Sequence, residues 1–162
     1  MIKIKQYLLT TTIILAVLTI ALGMSPAFAN QSDTHIPGVF IGYTTTKDET
    51  HFTLGVEYTY KFDDHWGVGA VYEETEDMHH GDGIQVAVAS LFYYPVHDLK
   101  FGFGIGHEKF GGDDPHSERV YRLSVAYDIH VAKIEIEPLF AIDIVDGQVD
   151  YVLGIGLAWP FE

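Results

Sequence analysis

The chain has 162 residues, with 9 Lys and Arg against 23 Asp and Glu, and a formal net charge of −14 with histidine neutral. So acidic a surface repels phosphate backbones, which excludes nucleic acid as a partner and leaves cations as its natural companions. Cysteine is absent, which excludes a disulfide framework, a lipid-anchored lipoprotein, a thiolate metal site and a thiol nucleophile.

Residues 1–29 read as an export signal: Lys3 and Lys5 make a basic start, Tyr7 to Leu22 an apolar run, and Ala27-Phe28-Ala29 a small-residue cleavage site. The rival reading is a retained membrane helix, since the run approaches a spanning length. The cleavage site close behind it, with no further apolar helix downstream, favours the signal. Cleavage leaves 162 minus 29, or 133, residues (30–162), a one-domain length, and loss of the two lysines takes the formal charge from −14 to −16.

No segment of the mature chain carries a helical period, and turn residues recur at short intervals, as in an all-β meander. Eight strands are predicted, at about 38–46, 50–62, 65–75, 83–94, 99–109, 118–130, 132–143 and 148–161. In the second, Phe52, Leu54, Val56, Tyr58, Tyr60 and Phe62 share one parity, and His51, Thr53, Gly55, Glu57, Thr59 and Lys61 the other. Successive side chains of a strand point to opposite faces, so the ribbon has one apolar and one polar face. The fifth sets Leu99, Phe101, Phe103 and Ile105 against Lys100, Gly102, Gly104 and Gly106. The eighth sets Tyr151, Leu153, Ile155, Leu157, Trp159 and Phe161 against Val152, Gly154, Gly156 and Ala158.

Connections alternate between tight turns, at Asp63-Asp64-His65, Pro95-Val96-His97-Asp98 and Val131-Ala132, and longer polar loops around 44–51, 75–83, 107–118 and 144–149. The tight turns are expected to pair Phe62 with Trp66 and Tyr94 with Leu99 on the outward face. Outward aromatics cluster at both ends, with Tyr60, Phe62, Trp66, Phe92, Tyr94, Tyr127, Trp159 and Phe161 toward the turns. Tyr43, Phe52, Tyr72, Tyr121 and Tyr151 lie toward the loops, giving two interfacial girdles. These features predict an eight-stranded antiparallel up-and-down transmembrane β-barrel. A soluble lipocalin-type barrel has the same strand count. It would bury the charged set and show the aromatic set to water, and both are costly.

On these residues the chain resembles the small eight-stranded outer-membrane barrels of Gram-negative bacteria, the group of the OmpA transmembrane domain, OmpX and OmpW, over residues 37 to 161. The resemblance implies an outer-membrane location with both termini periplasmic, lipid and lipopolysaccharide as surroundings, and the barrel-assembly machinery as a partner in biogenesis. In that group the last strand ends on a C-terminal phenylalanine. Here Phe161 comes one residue early, after Pro160 and before Glu162.

Eight strands enclose a bore that side chains fill, which argues against a wide pore. Glu57, Lys61, Glu73, Lys100, Arg122, Glu135 and Glu137 fall on the inward parity and are expected to form a lumenal charge network, with Arg122 across from the glycines of the fifth strand. Buried charge persists when paired, so the network reads as a plug, with a narrow gated path as the alternative.

The outer loops hold Glu73, Glu74, Glu76, Asp77, His79, His80 and Asp82 in one case, and His107, Glu108, Asp113, Asp114, His116 and Glu118 in the other. Asp77, His79, His80 and Asp82 are the candidate metal ligands, although their spacing matches no sharp metal motif. Loosely held divalent cations bridging these acids to lipopolysaccharide phosphates are expected in preference to a resident cofactor. His116-Ser117-Glu118 invites comparison with the lipid A deacylases found among small barrels, but neighbours on a strand point apart and the flanking sequence of those enzymes is missing. His35, His65, His97 and His130 come from the N-terminal arm and separate turns, and for that reason read as interfacial or turn residues in preference to metal ligands. The functional expectation is a monomeric or weakly associating, non-enzymatic barrel serving envelope integrity or surface interaction. A narrow transport or metal-sensing barrel comes second and a lipid A-modifying enzyme third.

Overall fold

Ribbons with one apolar face and one face of glycine, alanine and charge bury neither face alone, and closing the sheet on itself separates the two. The computed structural model, which describes residues 34–47, 49–76, 83–111 and 116–161, takes that solution. Its strands are β1 (Thr34–Thr46), β2 (Glu49–Lys61), β3 (Trp66–Thr75), β4 (Ile84–Val96), β5 (Leu99–Phe110), β6 (His116–Tyr127), β7 (Ile129–Val131), β8 (Ile134–Val145) and β9 (Gln148–Ala158). All pairings are antiparallel between chain neighbours, and β1 closes the ring on β9 from Gly38↔Ala158 to Thr46↔Asp150. β6 and β7 are one wall: Ala126↔Leu139 and Ile129↔Ile136 lie in a single register against β8. The ladder lapses between them, where that register sets Tyr127 against Pro138, which has no N–H to give. The result is a closed eight-stranded meander, as the alternation predicts. No helix among the described residues is long and apolar enough to cross a membrane, a statement that concerns helices alone.

Alternation along the walls is sharp. Within β9, Val152 is 0% exposed and its neighbour Leu153 63%. Leu54, Phe101, Phe103, Ile105 and Ile155 project outward in the same way. Inside, Val86, Val88, Val120 and Val145 form one apolar cluster and Phe40, Ala141 and Val152 another. The Phe40 ring occupies space left by glycines on the neighbouring β9 and on its own strand: a Cβ on Gly154 would fall 2.5 Å from it and one on Gly42 2.6 Å.

Three expectations about the connections need correction. The first and fourth loop-end connections are tight. Thr46 pairs with Glu49 around Lys47, whose φ is 57°, and Val145 pairs with Gln148 around Asp146 and Gly147, with φ of 45° and 79°. Two positive φ values at an Asp-Gly step match the twist of a two-residue hairpin, so no polar loop is needed there. At the opposite end the last turn is Ala132-Lys133, not Val131-Ala132, with Val131 paired to Ile134 and Ala132 at φ 59°. The Phe62–Trp66 pairing holds, its N–H···O bond spanning 3.1 Å.

The Tyr94–Leu99 pairing does not hold. Tyr93 opposes Phe101 and Val96 opposes Leu99, so Tyr94 and Pro95 together face Lys100 alone. This is a β-bulge at a residue that cannot donate to the ladder. Upstream of it the register is regular, so Phe92 and Tyr94 continue the inward parity of Val86 and Val88, leaving Tyr94 1% exposed, and Leu91 and Tyr93 lie outside. Leu91-Phe92-Tyr93-Tyr94 is apolar on both parities, so alternation carries no information there. The flanking strands decide instead, because the Phe92 ring lies where Cβ atoms on Gly69 and Gly102 would stand, 2.8 and 2.9 Å from it. Tyr93 replaces Tyr94 in the turn-end girdle, its ring 4.8 Å from that of Trp66.

This fit generates a prediction. Gly102→Ala should lower the unfolding free energy in detergent micelles by about 1–3 kcal/mol, and adding Phe92→Leu should recover part of that loss. Equal stability of the glycine and alanine forms in urea titrations would contradict the seating of Phe92.

Candidate functional site

The bore is where this barrel concentrates chemistry. Arg122 of β6 pairs in register with Asp143 of β8, and its guanidinium reaches over the bore to Glu73 of β3, two walls beyond its other neighbour. Nη1 and Nη2 donate to the two Glu73 carboxylate oxygens at 2.8 and 2.6 Å, and Nε and Nη2 donate to Asp143 at 2.7 and 2.6 Å. Both contacts are bidentate, the geometry in which a planar guanidinium holds carboxylates most firmly. All three side chains are buried, at 5%, 2% and 3% exposure. One cation faces two anions, so the unit is a strut across the lumen that remains formally anionic.

Toward the turn end a second set takes over. Lys100 Nζ donates to Glu137 Oε2 and lies 5.0 Å from the Phe92 ring centroid, while Lys61 Nζ sits 4.3 Å over the Tyr94 ring. The Glu57 carboxylate overlies the Gly38 and Gly156 backbone, where added Cβ atoms would meet Oε1 at 2.8 and 3.0 Å. Glu135 is buried and receives His130 Nε2 at 2.9 Å. The predicted lumenal residues are therefore all on the inner face, but they divide into two groups. Arg122 takes Glu73 and Asp143 as partners, and Glu57, Glu135 and Glu137 stand with the lysines. Asp143, Glu108 and Asp150 are inward acids that the sequence reading missed. The signal was available, since Asp143 shares parity with Glu135 and Glu137 and alternates with the outward Ile142 and Ile144.

The bore is strongly acidic. Glu73, Glu108, Asp128, Glu135, Glu137, Asp143 and Asp150 are buried, against Lys100 and Arg122 among the lysines and arginines of the described residues. Asp128 Oδ1 and Asp150 Oδ1 are buried without a hydrogen-bond partner, one near each end of the barrel.

At the loop end, Asp77, His79, His80 and Asp82 lie outside the described residues. Around residues 116–118, the Ser117 hydroxyl donates to the Glu108 carbonyl at 3.1 Å. The His116 ring stacks on Phe110 at 4.6 Å and its Nε2 lies 3.6 Å from Glu118. The hydroxyl is turned to main chain, as the pointing-apart argument requires.

At the turn end the expectation of scattered histidines is overturned in part. His35 lies within β1, stacks on Phe161 at 5.4 Å and contacts the Tyr58 hydroxyl at 2.5 Å, clasping the first and last strands. His97 and His130, which come from different turns, meet. Their ring centroids are 5.3 Å apart and both Nδ1 atoms face Asp98 Oδ1, at 2.9 and 3.6 Å. They converge because the β5–β6 register, which pairs Leu99 with Tyr127, carries the β4–β5 turn alongside β7, where the Asp128 N–H donates to the Asp98 carbonyl at 2.7 Å.

No protein-family model and no curated protein matches the sequence. Solved structures match its fold. Neisserial surface protein A aligns with a TM-score of 0.58 at 9% identity, over 78% of this chain and 96% of that one. Ail of Yersinia pestis in a phospholipid bilayer nanodisc aligns with a TM-score of 0.55 at 12% identity, over 79% and 99%. The N-terminal β-barrel domain of Pseudomonas aeruginosa OprF aligns with a TM-score of 0.55 at 12% identity, over 80% and 98%. The chain thus folds like the small eight-stranded outer-membrane barrels, and at these identities the likeness is one of fold.

Removing the guanidinium would leave two buried carboxylates uncompensated. Arg122→Ala should therefore destabilise the barrel by about 3–5 kcal/mol, read from urea unfolding followed by heat-modifiable electrophoretic mobility. Glu73→Ala should cost less, because Asp143 still pairs the guanidinium. The reverse order would contradict the strut.

Proposed function

We propose that the mature chain is a non-enzymatic β-barrel of the bacterial outer membrane, with the β2–β3, β4–β5 and β7–β8 turns and both termini in the periplasm and the opposite end of the barrel outside. It serves envelope integrity or surface interaction and is not a diffusion pore. The observation that carries this reading is the Arg122 strut, which bonds opposite walls across a bore already occupied by Phe40, Phe92, Tyr94 and the valine cluster. Hydrocarbon is the medium that accepts the outward aromatic and aliphatic surface without cost, and a closed ladder is the form of sheet it tolerates. Lipid and lipopolysaccharide are then its surroundings, the monomer its working form, and the barrel-assembly machinery its partner in biogenesis.

The charge also bears on the partner. One solved structure of Ail carries a heparin analogue, sucrose octasulfate. With a formal charge of −14, the present chain suits the opposite class, namely divalent cations that bridge its acidic loops to lipopolysaccharide phosphates, or cationic surfaces. Asp77, His79, His80 and Asp82 belong to that loop chemistry.

A second reading, a narrow cation path, is favoured by the excess of buried acids and by the orphaned oxygens of Asp128 and Asp150 near the two ends. Planar-bilayer recording of the refolded mature chain separates the two. The plug predicts no discrete conductance steps for the natural sequence, and a steady cation-selective current would establish the path instead.

A further inference from the structure

Outside the bore network, among the described residues, one group of side chains brings metal-donor atoms together. His97, Asp98 and His130 each offer a donor atom, and these lie within 4.8 Å of one another. We propose that this trio is a binding site for a divalent first-row transition ion of the zinc type, at the turn end of the barrel and separate from the outer-loop acids.

Four observations support the assignment. First, the donor chemistry fits: two imidazoles and one carboxylate suit zinc and its neighbours, and hard cations such as calcium prefer an all-oxygen shell. Second, the spacing fits. Tetrahedral bonds of about 2.0–2.1 Å set adjacent ligand atoms about 3.3 Å apart, and the two imidazole Nδ1 atoms lie 2.9 and 3.6 Å from Asp98 Oδ1, on either side of that value. An ion entering between them replaces those two contacts and leaves a fourth position open to water.

Third, one ligand already has its outer support. The far nitrogen of the His130 ring, Nε2, contacts buried Glu135 Oε1 at 2.9 Å, and the two residues are register partners in the β7–β8 ladder. A carboxylate receiving the far N–H of a histidine fixes the tautomer that presents the other nitrogen to a metal. Fourth, the elements are tied and the site is open. The Asp128 N–H to Asp98 carbonyl bond holds the turn against β7, and His97 is 75% exposed at its side chain, which gives an ion an entry route. The acid excess of the nearby bore raises the local concentration of cations.

The test uses the full mature chain, untagged and refolded in detergent micelles, with folding verified by heat-modifiable mobility. Cobalt(II) serves as the spectroscopic probe and zinc as its competitor. The expected result is about one equivalent of cobalt giving visible d–d absorption that zinc displaces. His97→Ala and His130→Ala should each lower affinity by more than about tenfold, and Glu135→Gln by about 10–100-fold. His79→Ala/His80→Ala should leave it unchanged. Absence of cobalt absorption and of zinc binding in the folded natural protein would overturn the proposal. So would binding that survives both turn-end alanine variants, or binding that is lost only with His79 and His80.

Discussion

The rest of the structure depends on the ladder between β1 and β9. In hydrocarbon an unpaired backbone N–H or C=O costs several kcal/mol, so a sheet of these strands is viable there only without edges. The seam that removes the edges is rich in glycine: Gly38 opposes Ala158, Phe40 opposes Gly156 and Gly42 opposes Gly154. Small residues keep the inner face of the seam open, and Phe40 and the Glu57 carboxylate then occupy that space. Closure and lumen filling are thus one event: the glycines that clear the seam also shape the sockets inside it.

A closed ring of eight walls leaves an interior that side chains must fill to the density of a protein core. Aromatic rings inserted between glycines do part of this, at Phe40 and Phe92. Charges do the rest: Arg122 holds Glu73 across the bore and Asp143 beside it, Lys100 lies between the Glu137 carboxylate and the Phe92 ring, and Lys61 lies over the Tyr94 ring. The interior that results is rigidly bridged yet anionic, a combination suited to a plug that attracts cations to its mouths.

Legibility in the sequence followed the chemistry of each strand. Where one parity is large and apolar and the other small or charged, as in β2, β5 and β9, the inward parity can be read directly, and it includes Glu57 and Lys100. In β4 the run Leu91-Phe92-Tyr93-Tyr94 is apolar on both faces. The choice between them came from glycines on the flanking strands, Gly69 of β3 and Gly102 of β5, which leave room for the Phe92 ring. Two of the loop-end connections proved to be tight hairpins, although the Asp146-Gly147 pair is a strong local signal for one. Asp143 shares the inward parity of Glu135 and Glu137 but stands at the very end of the predicted strand over 132–143, where alternation has no further residue to support it.

By itself the sequence determined the architecture: alternation sets which side chains face out, and turn spacing with a strand length near ten residues makes a meander whose apolar exterior demands closure. It also determined that the interior would be charged and that the charge would be mostly negative. Only the tertiary structure decided which charges meet. Partnership across a barrel depends on register and curvature, properties of several strands at once, so Arg122 and Glu73 find each other across 49 residues of chain. The same is true of His97 and Asp98 in the β4–β5 turn and His130 in β7, which the register between β5 and β6 sets side by side.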